Sequence, residues 1–596
     1  MKNTHRTKGS SSLGLLFVLA AAAALVIGGA FALNHFKGKK INTEDIASAQ
    51  KIAGLRFTHK ERKMMLGDLR ENADSYAKIR EVTLDNSVPP AIRFDPVLPG
   101  MTAEKQITAP RGNGEGDNSL TLSHNPLPSR ERDSSEIGLS PTPPLQTSAE
   151  RPAGLEDLAF APVTKLAQFI RARKVTSTEL TRMYLARLKK YGPRLECVIT
   201  LTEDLALAQA ARADEEIAAG HYRGPLHGIP YGAKDLLAVK GYKTTWGAKP
   251  YEDQVIDANA TVIERLEEAG AVLVAKLTLG ALAMGDVWYG GKTRNPWNTE
   301  QGSSGSSAGS AAATAAGLVG FAIGTETWGS IVSPSTRCGV VGLRPTFGRV
   351  SRAGAMALSW TMDKIGPICR SVEDCALVFE AIRGPDGRDL TVVDIPFNWD
   401  PDLGLDAVRV GYLKKAFDED HKTKKNDDAA LEVLRSAGLE LVPFELPDNL
   451  PVEPLAIILS AEAAAAFDEL TRSDRDDLLV RQDRGAWPNA FRQARFIPAV
   501  EYIQANRVRT LLMEAMAERM KDIDVYVAPS FGGNNLLLTN LTGHPAVVLP
   551  NGFDDKGSPT SISFIGGLYD EARTLRVALA YERATDFHTK HPELKE

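Results

Sequence analysis

Cysteine is scarce in this chain. Cys197, Cys338, Cys369 and Cys375 are the only four in 596 residues, and no two form a C-x-x-C pair. That pattern argues against a disulfide framework or a zinc site, and so few thiols leave the redox compartment open. An excess of one charge is missing too. Seventy Lys and Arg stand against 75 Asp and Glu, a formal net charge of -5. No basic surface for nucleic acid is indicated. No repeat at solenoid spacing is found. Histidine is absent around Ser330, which stands in the small-residue stretch "GTETWGSIVSPS" (324–335). If that serine is a nucleophile, something other than a neighbouring imidazole must take its proton.

One long apolar run is present. Residues 13–33 read "LGLLFVLAAAAALVIGGAFAL" and carry no charge. About 20 such residues span a bilayer as a helix. Lys2, Arg6 and Lys8 precede the run, and Lys37, Lys39 and Lys40 follow it. The expectation is a membrane-anchored, single-pass protein; the alternative is export after cleavage near Ala32, behind an A-x-A pattern. Basic residues on both flanks leave the orientation open. The chain then divides into a basic tail (1–12), the transmembrane anchor or signal segment (13–33), a helical stalk (34–100), a Ser/Pro/Gly-rich disordered linker (101–153) and a catalytic domain (154–596).

From residue 154 onward, helical and strand patterns alternate. "VTSTELTRMYLARLKKYGP" has capping-box spacing at Thr176 and Glu179, an apolar repeat at Leu180, Tyr184 and Leu188, and Gly192-Pro193 as its expected stop. "ANATVIERLEEAG" then "AVLVAKL" reads as helix followed by buried strand, and "GLVGFAIGTE" as a strand entering the Ser330 stretch. An α/β domain with a covered sheet follows.

Two motifs are set aside. "GSSAG" (305–309) matches G-x-S-x-G at Ser307, but the polar "NPWNTEQGS" precedes it where a nucleophile elbow needs a strand. The late histidines His544, His588 and His591 fit a Ser-Asp-His order poorly. "DVWYGGKT" approaches a P-loop, but Asp286 would put negative charge where phosphate should sit.

A lysine can serve as base only when neutral, and burial lowers its pKa from about 10.4. Lys234, in the apolar "IPYGAKD", is a candidate. A second hydroxyl from "SSGSSAGSAAATAAG" can relay the proton between nucleophile and lysine. These segments together resemble the amidase signature family. Ser304-Gly305-Ser306-Ser307-Ala308-Gly309 is similar to its Gly-Gly-Ser-Ser-Gly-Gly element, and 324–332 to Gly-Thr-Asp-x-Gly-Gly-Ser-Ile-Arg. Ser306 precedes Ser330 by 24 residues, the separation of the family's two serines. "CGVVGLRPTFGRVSRAGAMALSWTMDKIGPICRSVEDCA" and "TNLTGHPAVVLPNGF" extend the likeness over roughly 154–590.

The resemblance implies a Ser-Ser-Lys triad, with Ser330 as nucleophile, Ser306 as bridge behind a cis peptide and Lys234 as ultimate base. It implies that Ser307 supports Ser306, and that the backbone N–H groups of Thr327, Trp328, Gly329 and Ser330 form an oxyanion hole. It further implies an amidase cleaving a small-molecule amide through an acyl-enzyme, with no metal or organic cofactor, on an α/β fold with a mixed, twisted central sheet flanked by helices. Trp328, Glu326, Ala308 and Val332 depart from the family pattern, and Trp328 is expected either to wall the acyl pocket or to pack as a buried side chain. Membrane contact through the N-terminal helix and no nucleic acid are the expected partnerships; the oligomeric state is not readable. The rival reading is the glutaminase component of a tRNA-dependent amidotransferase, whose Phe-Gly-x-Glu-Val-Lys-Arg-Arg stretch is not found here. A third, an inactive binding scaffold, is opposed by intact Lys234, Ser306 and Ser330.

Overall fold

"FAIGTE", "VLVAKL" and "PYGAK" are short runs of small and apolar residues, and nearly every side chain in them is buried. Runs this short and this apolar suit strands covered on both faces. The computed structural model describes residues 41–84, 88, 90–92, 151 and 153–594. It divides into two units, residues 1–74 and 75–596.

In the first unit, Asn42 caps the helix Thr43–Ile52 in a reciprocal box with Asp45. The helix His59–Arg80 begins after a short turn, and Arg70 on it donates to the Ile41 carbonyl at 2.6 Å. That bond ties the second helix to the residue that leads into the first. Ile46, Leu55, Phe57, Met65 and Leu69 are buried.

The second unit is built on one sheet of eleven strands. In chain order they are β1 (Val198–Leu201), β2 (Pro230–Lys234), β3 (Val272–Leu277), β4 (Phe321–Glu326), β5 (Val341–Arg344), β6 (Lys364–Cys369), β7 (Val410–Leu413), β8 (Leu441–Phe444), β9 (Val525–Pro529), β10 (Ala546–Phe553) and β11 (Pro559–Gly566). Across the sheet the order is β1-β3-β2-β4-β6-β5-β10-β11-β9-β7-β8. β2 runs parallel to β3 and β4, and β7 runs parallel to β8 and β9; the remaining pairs are antiparallel. The expected mixed sheet is observed. The register Ala233↔Ile323 brings the C-terminal ends of β2 and β4 to one edge. In α/β sheets, ligands bind outside such ends.

The expected helices form, with one difference. Thr176 and Glu179 make the capping box, with the Glu179 N–H donating to Thr176 at 3.1 Å and the Thr176 N–H to Glu179 at 2.8 Å. The helix Ser177–Leu195 nevertheless runs through Gly192-Pro193 and ends at Glu196 in the left-handed region, φ 48°. Proline loses its own N–H bond and crowds the preceding turn, but the residues after it keep their donors and can stay helical.

The single-pass, membrane-anchored localisation is corrected. Among the described residues no helix is long and apolar enough to cross a membrane. The longest helices, such as His59–Arg80 and Ala499–Arg519, carry charges along their length, and charge is costly in hydrocarbon. Residues 13–33, on which the anchor, the cleavage near Ala32 and the membrane contact rested, lie outside the described residues, as do the basic tail and nearly all of 101–153.

Candidate active site

Lys234 is the last residue of β2 and is fully buried. Its Nζ stands 2.8 Å from Ser306 Oγ, 3.0 Å from Ser307 Oγ and 2.8 Å from Thr325 Oγ1. Burial pushes its pKa from 10.5 down to about 7, although Asp363 and Glu326 pull the other way. No carboxylate among the described residues pairs with it.

The serine loop enters this position by close backbone approach. A Cβ on Gly305 would lie 1.9 Å from the Gly285 carbonyl oxygen, so only glycine fits. The Gly305–Ser306 peptide is cis. Asp286, the residue that spoils the P-loop match, accepts the Ser304 N–H at 3.1 Å and steadies the loop. Ser307 accepts the Thr325 N–H at 3.1 Å and donates to the Thr325 carbonyl at 3.0 Å, which locks the loop to β4. The Ser307 N–H donates to the Ser330 carbonyl at 3.1 Å, joining the two serine segments. The fully buried, alanine-rich helix Ala308–Ala315 carries the loop away.

β4 delivers the chain into a turn at 327–330. Glu326 shapes that turn. One carboxylate oxygen accepts the N–H groups of Ile331 and Val332 at 2.8 and 3.0 Å; the other accepts from Arg344 and Asn540, each at 2.9 Å. Burial would raise the Glu326 carboxyl, but the Arg344 charge and these donors hold it at about 2. Gly329 takes φ 85°, a backbone region costly for residues with a Cβ. The N–H groups of Thr327, Trp328, Gly329 and Ser330 find no acceptor among the described residues. Thr327 Oγ1 donates to Asp363 at 2.6 Å, and the same carboxyl accepts the N–H groups of Leu358 and Ser359.

The structure therefore brings Lys234, Ser306, Ser307 and the 327–330 turn to one place. Trp328 is 44% exposed, which excludes the buried-packing alternative. Glu326 faces protein donors and not open space. His544 is buried against Thr542, its Nδ1 2.8 Å from that hydroxyl, and burial lowers it to about 3. Sequence reasoning passes over Thr325, Arg344, Asp363 and Asn540. Thr325 was within reach, since it adjoins the Ser330 motif on the strand; the others come from distant elements and carry no local signal.

Residues 179–575 match the family model Amidase. The chain belongs to the amidase signature family. An amidase of this family acts on a carbon–nitrogen amide bond. Among relatives, the A-type component of the glutamyl-tRNA(Gln) amidotransferase of Methylococcus capsulatus is 36% identical over 478 residues, covering 72% of this chain and 98% of that protein. The native peptide amidase of Stenotrophomonas maltophilia superposes with a TM-score of 0.66 at 30% identity, covering 74% of this amidase and 99% of that chain. The corresponding glutamyl-tRNA(Gln) amidotransferase component from Thermotoga maritima shares the fold, TM-score 0.62 at 24% identity, over 75% of this chain and all of that one.

Proposed function

We propose that this amidase hydrolyses a small-molecule amide by itself, through a Ser-Ser-Lys relay and an acyl-enzyme on Ser330. The observation that carries the reading is a buried lysine amine, held near neutrality, 2.8 Å from Ser306. A neutral amine donates two hydrogens and accepts one. Thr325 Oγ1 and Ser307 Oγ can take the two hydrogens, which leaves the lone pair for the Ser306 hydroxyl proton.

In the forward step Ser330 Oγ attacks the amide carbonyl carbon. Its proton passes to Ser306 Oγ while the Ser306 proton passes to Lys234 Nζ. The free N–H groups of 327–330 receive the oxyanion; one such donor typically contributes about 3 kcal/mol. The proton on Lys234 returns through Ser306 to the leaving nitrogen, the C–N bond breaks, and an ester to Ser330 remains. Water repeats the sequence, releasing the acid and restoring Ser330.

A second reading is favoured by the likeness to the amidotransferase components: a glutaminase that works within a larger assembly. One experiment separates the two. The purified full chain is treated with a serine-directed fluorophosphonate and mapped by mass spectrometry, beside Lys234→Ala, and is assayed alone on simple amides. Labelling at Ser330 that the lysine variant loses, with turnover by the isolated chain, is expected. Labelling without turnover until partner proteins and glutamine are added would transfer the assignment to the second reading. A folded chain that does not label at Ser330 would overturn the relay.

A further inference from the structure

Residues 327–330 must be held at both ends if their N–H groups are to point at one place. Glu326 holds the far end, accepting from Ile331 and Val332. The near end offers few handles. Trp328 is largely exposed and Gly329 has no side chain. Among the described residues, the one side-chain hydrogen bond made by 327–329 runs from Thr327 Oγ1 to Asp363 Oδ1, at 2.6 Å.

The sheet sets this pair. Lys364 on β6 faces Glu326 on β4 in antiparallel register, so the residues next to them, Asp363 and Thr327, come side by side. Asp363 is fixed in turn. Its other oxygen accepts the N–H groups of Leu358 and Ser359 at 2.8 and 2.9 Å. That loop is tied to the buried Glu462 on the helix Ile457–Ala466, by the Ser359 hydroxyl at 2.5 Å and by the Thr361 N–H and hydroxyl at 3.1 and 2.8 Å. Arg509, on the helix Ala499–Arg519, donates to the Thr361 carbonyl at 2.8 Å. A carboxyl group gripped in this way makes a rigid post, and a short bond to a charged acceptor is stronger than one to a neutral group.

We propose that Asp363 is a positioning residue for the reaction: through the Thr327 hydroxyl it sets the angle of the turn whose N–H groups receive the oxyanion. The inference rests on the proposed relay reading of this site. Electrostatic stabilisation depends on donors already aimed where charge develops, and a turn free to rock loses part of it.

The probe is a fluorophosphonate. Ser330 Oγ attacks its phosphorus, fluoride leaves, and the phosphoryl oxygen takes the place of the oxyanion, so the labelling rate reads the turn. Rates are measured on the full chain, on Thr327→Val, which keeps the shape and removes the donor, and on Thr327→Ser, which keeps the hydroxyl. Thr327→Val is expected to label about 10- to 100-fold more slowly, the range of one hydrogen bond to a charged group, and Thr327→Ser to recover most of the rate. The pH of half-maximal labelling should stay near 7 in Thr327→Val, because Asp363 and Glu326, the two charges that act on Lys234, both remain. In an Asp363→Ala background Thr327→Val should cost nothing further, as for two residues acting as one unit. A Thr327→Val chain that labels at the parent rate overturns the proposal, as does a shift of its pH midpoint or a loss that multiplies with that of Asp363→Ala. If Asp363→Ala does not fold, the valine and serine variants decide the matter between them. A parent chain that never labels at Ser330 sinks the relay and this inference with it. A parent that labels, beside an unimpaired Thr327→Val, leaves the relay standing and removes only the anchor.

Discussion

Burial holds the Lys234 amine at about 7, and an amine accepts a proton only after losing its own. Below that value the ammonium has no lone pair for Ser306; above it the base is ready. With a neutral amide, kcat/KM is therefore expected to rise with pH and to reach half its plateau near pH 7. A profile that is flat or falling through that region would count against Lys234 as the base. Thr325 belongs to the same balance, because its hydroxyl takes one of the two hydrogens of the neutral amine. Thr325→Val keeps the shape and removes the acceptor. It should slow Ser330 labelling by roughly 10-fold, about the weight of one buried hydrogen bond; an unchanged labelling rate would assign that contact no role.

At the scale of elements, a loop and a turn are held from outside. The turn after β4 depends on Glu326, whose partners Arg344 and Asn540 arrive from β5 and from the helix Asn535–Thr542. Glu326→Gln leaves the buried Arg344 guanidinium facing a neutral amide. Removing one partner of a buried pair typically costs about 3–5 kcal/mol, so urea unfolding should show a loss of that order together with slower labelling of Ser330. The serine loop depends instead on the absence of a side chain at Gly305. Gly305→Ala must move either the loop or the Gly285 carbonyl, since backbone at 1.9 Å cannot yield as a flexible side chain would. Labelling of Ser330 should fall sharply while the circular dichroism spectrum persists. Full labelling in the alanine variant would show that the loop tolerates the shift.

At the scale of the molecule, residues upstream of the expected catalytic domain take part in its core. Ile79 is 1% exposed and belongs to an apolar cluster that includes Leu413, Phe444 and Leu512. Arg80 donates to Glu501 at 2.5 Å, and the Ala91 N–H donates to the Asn506 carbonyl at 3.1 Å. Cutting a buried isoleucine to alanine typically costs about 2–5 kcal/mol. Ile79→Ala should lower the urea midpoint of the second unit accordingly; a midpoint unchanged from the parent would mean the segment is dispensable. Sequence periodicity marks the 34–100 stretch as a helical stalk with spaced apolar positions. It does not say what lies against them.

What the sequence determined by itself is what contiguous residues encode. The 324–335 stretch, the 304–309 loop and Lys234 declare the family because tight turns set their own geometry from neighbouring small residues. The strand and helix patterns declare an α/β sheet because apolar period follows backbone geometry. What only the tertiary structure decided is the company these groups keep. Lys234 meets Ser306 across 72 residues of chain, and Glu326 meets Asn540 across 214. The depressed lysine and the clamped carboxylate are consequences of burial among such distant partners. Burial depends on how the whole sheet closes over them, and no local pattern carries it.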